Sequence, residues 1–191
     1  RDQMPKLGME PVRREALVKA TIHEIGAAGT LDVTVSQIAR RAGVSSALAH
    51  HYFGGKDQIF LAAMRAILRS FGAEVRDALA GAQDPQRRLH AIVTASFAPS
   101  CFDQPVIGAW MRFYAHAQED AGARRLLLIY QARLRSNLVH AYRPLTKAPE
   151  HAAETLAALI DGLYLRAALG GGAGQARQTA LSLADRLAKE T

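Results

Sequence analysis

Between Thr34 and Phe53 the chain sets two short segments of helical periodicity on either side of one glycine. Val35, Ile38, Ala39 and Ala42 fall at i, i+3, i+4 and i+7, the spacing of a single helix face. Gly43 interrupts that face, and Val44-Ser45 restarts the chain. Two short helices that cross steeply need a small residue where they touch, here Ala39, and a turn residue that accepts positive φ, here Gly43. Thr34 and Ser45 stand where helix N-caps belong. Val44 and Leu48 are expected to reach back to a core of Ile38 and Phe53. This is the physical recipe of a helix-turn-helix, whose second helix enters the DNA major groove by its N-terminal residues. An ordinary helical hairpin would share the glycine but not the whole pattern.

The rest of the chain reads as helix. Alternating β-branched residues are absent, while Ala, Leu, Arg and Gln are plentiful. The first helix is expected over about 10–28, with Val18, Ile22 and Ile25 as its buried stripe and Gly29 as its stop. A second follows Thr34, and a third runs from Ser45 to about residue 51. A long fourth helix over about 56–80 carries Ile59, Met64, Ile67, Leu68 and Phe71 on its apolar face. Five more are expected over about 86–98, 104–118, 121–142, 150–169 and 174–189, edged by Pro85, Pro99, Pro105, Pro144 and the Gly170–Gly174 run. The fold class is therefore all-α, with about nine helices: a three-helix head, a long connecting helix and a five-helix body. The domain division is expected at 1–55 and 56–191.

Charge alone says little. The formal net charge is +7, which suits a polyanionic partner, but residues 1–56 hold eight Lys/Arg against five Asp/Glu, so the excess is not concentrated in the head. A single cysteine, Cys101, excludes a disulfide within the chain and a zinc cluster; it reads as a small buried hydrophobe in a reducing, cytoplasmic setting. No membrane partner is expected: the most apolar stretch, near Leu156–Leu169, is interrupted by Asp161 and Arg166. Arg1-Asp2-Gln3 precede Met4-Pro5-Lys6, which reads as a native start without a secretory signal, and the first three residues are left out of the fold argument. No nucleophile elbow, phosphate loop or metal-spaced cluster of His, Asp and Glu appears, and the adjacent His50 and His51 point apart on a helix. Neither enzymatic activity nor a metal or cofactor is expected.

The motif assigns candidate DNA contacts. Ser45, Ser46, Ala47 and His50 are placed near base edges, and Thr34, Ser36, His51, Tyr52 and Lys56 along the flanking phosphates, with Arg40 and Arg41 as further backbone contacts. Either histidine also suits a solvated or structural role. On Gly29, Thr34-Val35, Ile38-Ala39, Ala42-Gly43-Val44-Ser45, Phe53, Lys56 and Ile59-Phe60, the stretch from Leu17 to Phe60 resembles the TetR family of bacterial repressors. It departs from many members at His50, where they carry a phosphate-touching tyrosine; the aromatic here is Tyr52.

Over nearly its full length the chain is similar to a choline-responsive branch of that family which represses glycine betaine synthesis. The landmarks are residues 4–9, Gln37–Ser45, His51-Tyr52-Phe53 and Leu156–Leu169, with Tyr164 where close relatives carry tryptophan. The resemblance implies a repressor of choline-uptake and betaine-synthesis genes, a homodimer joined through its last two helices, a near-palindromic double-stranded operator and choline as inducer. It also implies that ligand in the body moves the long fourth helix and so the spacing of the two heads. The dimer helices carry Leu156, Leu159 and Leu163, then Leu181, Leu183 and Leu187. A quaternary ammonium is recognised by aromatic faces with a carboxylate nearby. Trp110, Phe113 and Tyr114 at i, i+3 and i+4, with Asp161 and Tyr164 at i and i+3, are the candidate ligand contacts. The same aromatic spacing also suits plain core, and Asp161 also suits pairing with Arg166 or Arg112. An aromatic pocket with one acid equally fits another cation or an apolar compound.

Overall fold

The computed structural model describes residues 8–189. Residues 1–7, with the start-like Met4-Pro5-Lys6 and most of the landmark at 4–9, lie outside the described residues. The chain is all-helical, and every element among the described residues is a helix or helical turn. α1 spans Met9–Ala28, α2 Val35–Arg41, α3 Ser46–Phe53, α4 Lys56–Ala80 and α5 Pro85–Ser96. A 3-10 turn follows at Pro99–Phe102, then α6 at Gln104–His116, α7 at Ala121–Tyr142 and α8 at Pro149–Arg166. A wide π-turn at Ala167–Gly171 leads into α9, Ala173–Leu187. The helix expected over 150–169 stops at Arg166 because the glycine run leaves the helical region, with Gly170 at φ 112. None of these helices is long and apolar enough to cross a membrane.

The chain packs as two compact units, divided at 67/68, 103/104 and 124/125. The first holds α1, α2, α3, the first half of α4, and α6; the second holds the rest of α4, α5, the 3-10 turn, most of α7, α8 and α9. Packing thus follows another line than the expected functional division at 55/56.

The first unit is built around Leu17, Ile25, Val33, Ile38, Ala39, Ala49, Ile59 and Phe60. The buried stripe of α1 is Leu17, Ala20, Thr21 and Ile25, so Val18 and Ile22 are only half-buried. The stripe is rotated because α1 is packed on two sides, by α2 and α3 and by α6. Thr21 is tolerated in the core because its hydroxyl donates to the Leu17 carbonyl at 2.8 Å. On the side of α6 the helices meet at glycines. A Cβ on Gly26 would sit 2.5 Å from the Pro105 Cα, and one on Gly108 would sit 2.7 Å from the Gly26 Cα. The two backbones are in contact, which only glycine permits. In α4, Ile59, Phe60, Leu61, Ala63 and Met64 are buried, while Ile67, Leu68 and Phe71 are half-buried.

The second unit has its own core, with Leu89, Ile92, Val93, Leu138, Tyr142, Leu156 and Ile160 almost wholly inaccessible. α9 presents Ala176, Ala180, Ala184 and Leu187 at one-turn spacing to this core, and the Tyr142 hydroxyl donates to the Ala184 carbonyl at 3.2 Å. His90 of α5 lies 2.6 Å from the Asp185 carboxylate of α9. Leu156 and Leu187, read from the sequence as part of a dimer face, are instead buried inside this chain. Leu159, Leu163, Leu181 and Leu183 are half-buried, and the large apolar side chains exposed on α8 and the π-turn after it are Leu165 and Leu169.

Candidate functional site

The geometry of the candidate DNA-reading head starts from its caps. The Thr34 hydroxyl accepts from the Gln37 backbone N–H at 3.2 Å, and the Gln37 side chain accepts from the Thr34 N–H at 2.7 Å. This reciprocal capping box satisfies two donors at the start of α2. Gln37, three residues after Thr34, carried that signature in the sequence and is a contributor the motif reading missed. Ser45 caps α3 by accepting from the Leu48 N–H at 3.2 Å. Between the helices Gly43 takes φ 70 with open space around it, so conformation and not crowding demands glycine there. Ala39 and Ala49 are both 1% exposed. Ala49, rather than Leu48, is the α3 residue in the buried cluster. Val44 and Phe53 pack against that cluster as expected. Replacing Thr34 by Ala should cost about 1 kcal/mol of stability. Urea denaturation checks this, and an unchanged midpoint would mean the box contributes nothing net.

This arrangement leaves a polar face outside. Thr34, Ser36, Arg40, Ser45, Ala47, His50 and His51 are exposed. Ser46 is half-buried and its hydroxyl donates to that of Ser36 at 3.0 Å, joining the first turns of α2 and α3. Arg41 is ion-paired with Glu24 of α1, whereas Arg40 has no carboxylate partner among the described residues. Two of the candidates also serve the fold. The Tyr52 ring packs on the core with the Arg14 guanidinium over it at 5.2 Å, and the Lys56 ammonium lies 5.4 Å from the Phe60 ring centroid. His50 Nδ1 is 3.4 Å from the Gly54 carbonyl, and the His51 ring lies 5.7 Å from that of Tyr52.

The candidate effector residues fall in both units. In the first, Trp110 is 7% exposed, stacked on Phe113 at 5.8 Å and edge-on to Tyr114 at 5.3 Å. In the second, Asp161 is half-buried on α8 and accepts a hydrogen bond from the Tyr130 hydroxyl at 3.1 Å. That partner is neither Arg166, which is exposed, nor Arg112, which donates to Gly108 on its own helix at 3.3 Å. Burial pushes the Asp161 carboxyl above its ordinary value, and the Tyr130 hydrogen bond opposes that rise. One turn on, the Tyr164 hydroxyl donates to the Cys101 carbonyl at 2.8 Å, and its ring lies 5.0 Å from that of Phe102. Phe102 stacks on Phe97 at 6.4 Å, and Phe71 meets Tyr130 edge-on at 5.6 Å. Burial raises the phenol of Tyr164 and the thiol of Cys101, so both stay neutral. Cys101 itself is half-buried, its thiol 3.8 Å from the Ala95 carbonyl. The structure thus gathers one carboxylate, two tyrosines and several phenylalanines in a single unit. Tyr130, Phe71 and Phe102 had no local signal, because they stand tens of residues from Asp161 in the chain.

Residues 85–190 match the family described as BetI-type transcriptional repressor, C-terminal, and residues 17–63 match bacterial regulatory proteins of the tetR family. The HTH-type transcriptional regulator BetI of Brucella anthropi is 50% identical over 187 residues, covering 97% of this chain and 96% of its own. Its namesake in Rhizobium meliloti is 49% identical over 168 residues, covering 87% and 83%. A solved transcriptional regulator from Pseudomonas aeruginosa PAO1 has a TM-score of 0.84 at 28% identity, covering 95% of this chain and 93% of its own. Another, from Saccharomonospora viridis in complex with choline, shares the fold with a TM-score of 0.82 at 20% identity, covering 92% and 97%.

Proposed function

This chain belongs to the TetR family of transcriptional regulators, with a BetI-type repressor C-terminal domain, and from that premise we propose that it is a repressor released from its operator by choline. Its targets on this reading are genes of choline uptake and glycine betaine synthesis, and it acts in the cytoplasm, where the DNA is. The observation that carries the effector reading is the Asp161 carboxylate, half-buried in an apolar helix, faced by Tyr130 and one turn from the Tyr164–Phe102 ring pair. A carboxylate in apolar surroundings costs free energy unless a partner offsets it. A quaternary ammonium supplies that charge and takes the aromatic faces as well. The choline held by the related fold from Saccharomonospora viridis supports the same ligand class. Trp110, Phe113 and Tyr114, the other proposed ligand contacts, belong to the first unit, and Trp110 has little exposed surface to offer.

The DNA side of the proposal places the first turn of α3, with Ser45, Ser46, Ala47 and His50, at base edges. Thr34, Ser36, Arg40, His51, Tyr52 and Lys56 then lie along phosphates. Two copies joined through α8 and α9, with Leu165 of α8 and Leu169 of the π-turn between them exposed, present two heads to a near-palindromic site. Choline lowers operator affinity by binding the two conformational states of the dimer unequally; a tenfold loss needs about 1.4 kcal/mol of coupling.

The test is fluorescence anisotropy on labelled DNA from upstream of the chain's own gene, with and without millimolar choline. The expected result is tight binding that weakens with choline. The log of affinity should also fall by about 0.9 per phosphate contact per log unit of salt. Tight binding indifferent to choline would leave the repressor and point to another cation or an apolar effector. Binding no tighter than to random DNA would overturn the choice of operator.

A further inference from the structure

The 3-10 turn Pro99–Phe102 is held from two sides inside the second unit. On one side the Tyr164 hydroxyl of α8 donates to the Cys101 carbonyl at 2.8 Å, and Phe102 lies against the Tyr164 ring. On the other, the Ser100 hydroxyl donates to Glu74 Oε1 of α4 at 2.9 Å. Three successive residues of one short turn therefore touch the effector cluster and the helix that continues into the head. Neither Ser100 nor Glu74 belongs to the aromatic–carboxylate cluster itself.

The ring geometry makes this link mechanical. The Phe102 and Tyr164 centroids are 5.0 Å apart with a 44° tilt. A cation in contact with both faces needs about 8 Å between them, two contacts of about 4 Å each. A quaternary ammonium that enters between these two rings must therefore part them. Tyr164 is fixed on a helix, whereas Phe102 is part of a four-residue turn, so the turn is the element that yields. Ser100, two residues before Phe102, then shifts against Glu74.

We infer that Ser100 and Glu74 are positioning residues which pass the effector state of the Tyr164–Phe102 pair to α4 through the 3-10 turn. The inference rests on the effector reading of the same cluster. It adds what that reading lacks, a defined contact by which occupancy is felt at the helix shared with the head.

The experiment measures operator affinity by anisotropy, with and without choline, and choline affinity by calorimetry. The proteins are the full chain and its Ser100→Ala, Ser100→Thr and Glu74→Gln variants. Wild type should lose operator affinity on adding choline by about 5- to 150-fold, the usual range of such couplings. In Ser100→Ala that ratio should shrink about threefold or more, while choline affinity and choline-free operator affinity stay within about twofold. Ser100→Thr keeps the hydroxyl and Glu74→Gln keeps an acceptor, so both should retain the wild-type ratio. A purely structural role would not move the ratio selectively. If Ser100→Ala does not fold, Glu74→Ala cuts the same contact from the other side. Full coupling in a folded Ser100→Ala or Glu74→Ala chain overturns the relay.

A wild-type chain that ignores choline overturns the effector reading instead. The relay is then judged without ligand, by a double-mutant cycle of Tyr164→Phe and Ser100→Ala on operator affinity. The two changes should be non-additive by about threefold, and additive costs overturn the relay.

Discussion

Gly108→Ala should unfold at lower urea than wild type, with a loss of about 1–3 kcal/mol or more. The new Cβ would lie 2.7 Å from the Gly26 Cα and 2.9 Å from the Gly26 carbonyl oxygen. Both are backbone atoms of α1, so no side chain can swing aside, and α6 must move away from α1. Gly26→Ala meets the same obstacle from the other helix, with Pro105 backbone atoms 2.5 and 2.6 Å from its Cβ. Intrinsic helix propensity works in the opposite direction, favouring Ala over Gly by about 1 kcal/mol. Gly72→Ala separates the two effects. Gly72 lies inside α4, and the nearest atom to its Cβ position is the end of the flexible Arg76 side chain at 3.5 Å, an ordinary contact, so this variant should be unchanged or slightly more stable. Equal stability of Gly108→Ala and wild type would mean that α1 and α6 do not need their close approach.

On the proposed choline reading, Asp161→Asn should weaken choline binding by about 10- to 100-fold and leave choline-free operator binding intact. At an effective dielectric near 20, a unit cation about 4 Å from a carboxylate gains about 4 kcal/mol. Desolvation offsets part of that, and the amide forfeits nearly all of what remains. The same residue sets a pH signature. Burial raises the carboxyl above its ordinary value of about 4, so across a window upward from there part of the ligand-free protein holds a protonated Asp161. Choline favours the ionised form, so its affinity should rise with pH through that window and then level off, with protons released on binding. Stability of the ligand-free chain runs the other way. A carboxyl whose folded value is raised contributes stability that is present below its unfolded value and lost as pH rises through the folded one. Asp161→Asn should flatten both dependences. Calorimetric titrations at several pH values, in buffers of different ionisation enthalpy, read the affinity and the proton release together. A wild-type affinity independent of pH would remove Asp161 from contact with the cation.

The head was legible because its determinants are local. Caps act within three residues, helix faces repeat within seven, and a left-handed turn needs glycine whatever surrounds it, so Thr34, Ile38, Ala39, Gly43 and Ser45 announce the motif by spacing alone. The bounds of α4 and α7 were equally plain, since proline, glycine and cap residues punctuate helices independently of packing.

What packed against what was not legible. Periodicity named a stripe on α1 but missed its rotation toward Leu17 and Thr21, because α6, nearly eighty residues on, covers a second side. It marked Asp161 and Tyr164 as unusual in an apolar helix but could not find Tyr130, Phe102 or the Ser100–Glu74 contact, which arise when α4, α7, α8 and the 3-10 turn meet. Nor could it tell that Leu156 and Leu187 face inward and Leu165 and Leu169 outward, since one apolar helix can serve a core or an interface. The sequence by itself determined the helices, their caps and the DNA-reading turn, all products of short-range sterics and hydrogen bonding. The tertiary structure alone decided which glycines let backbones touch and which tyrosine meets the acid, because those depend on distances between residues that the chain order leaves far apart.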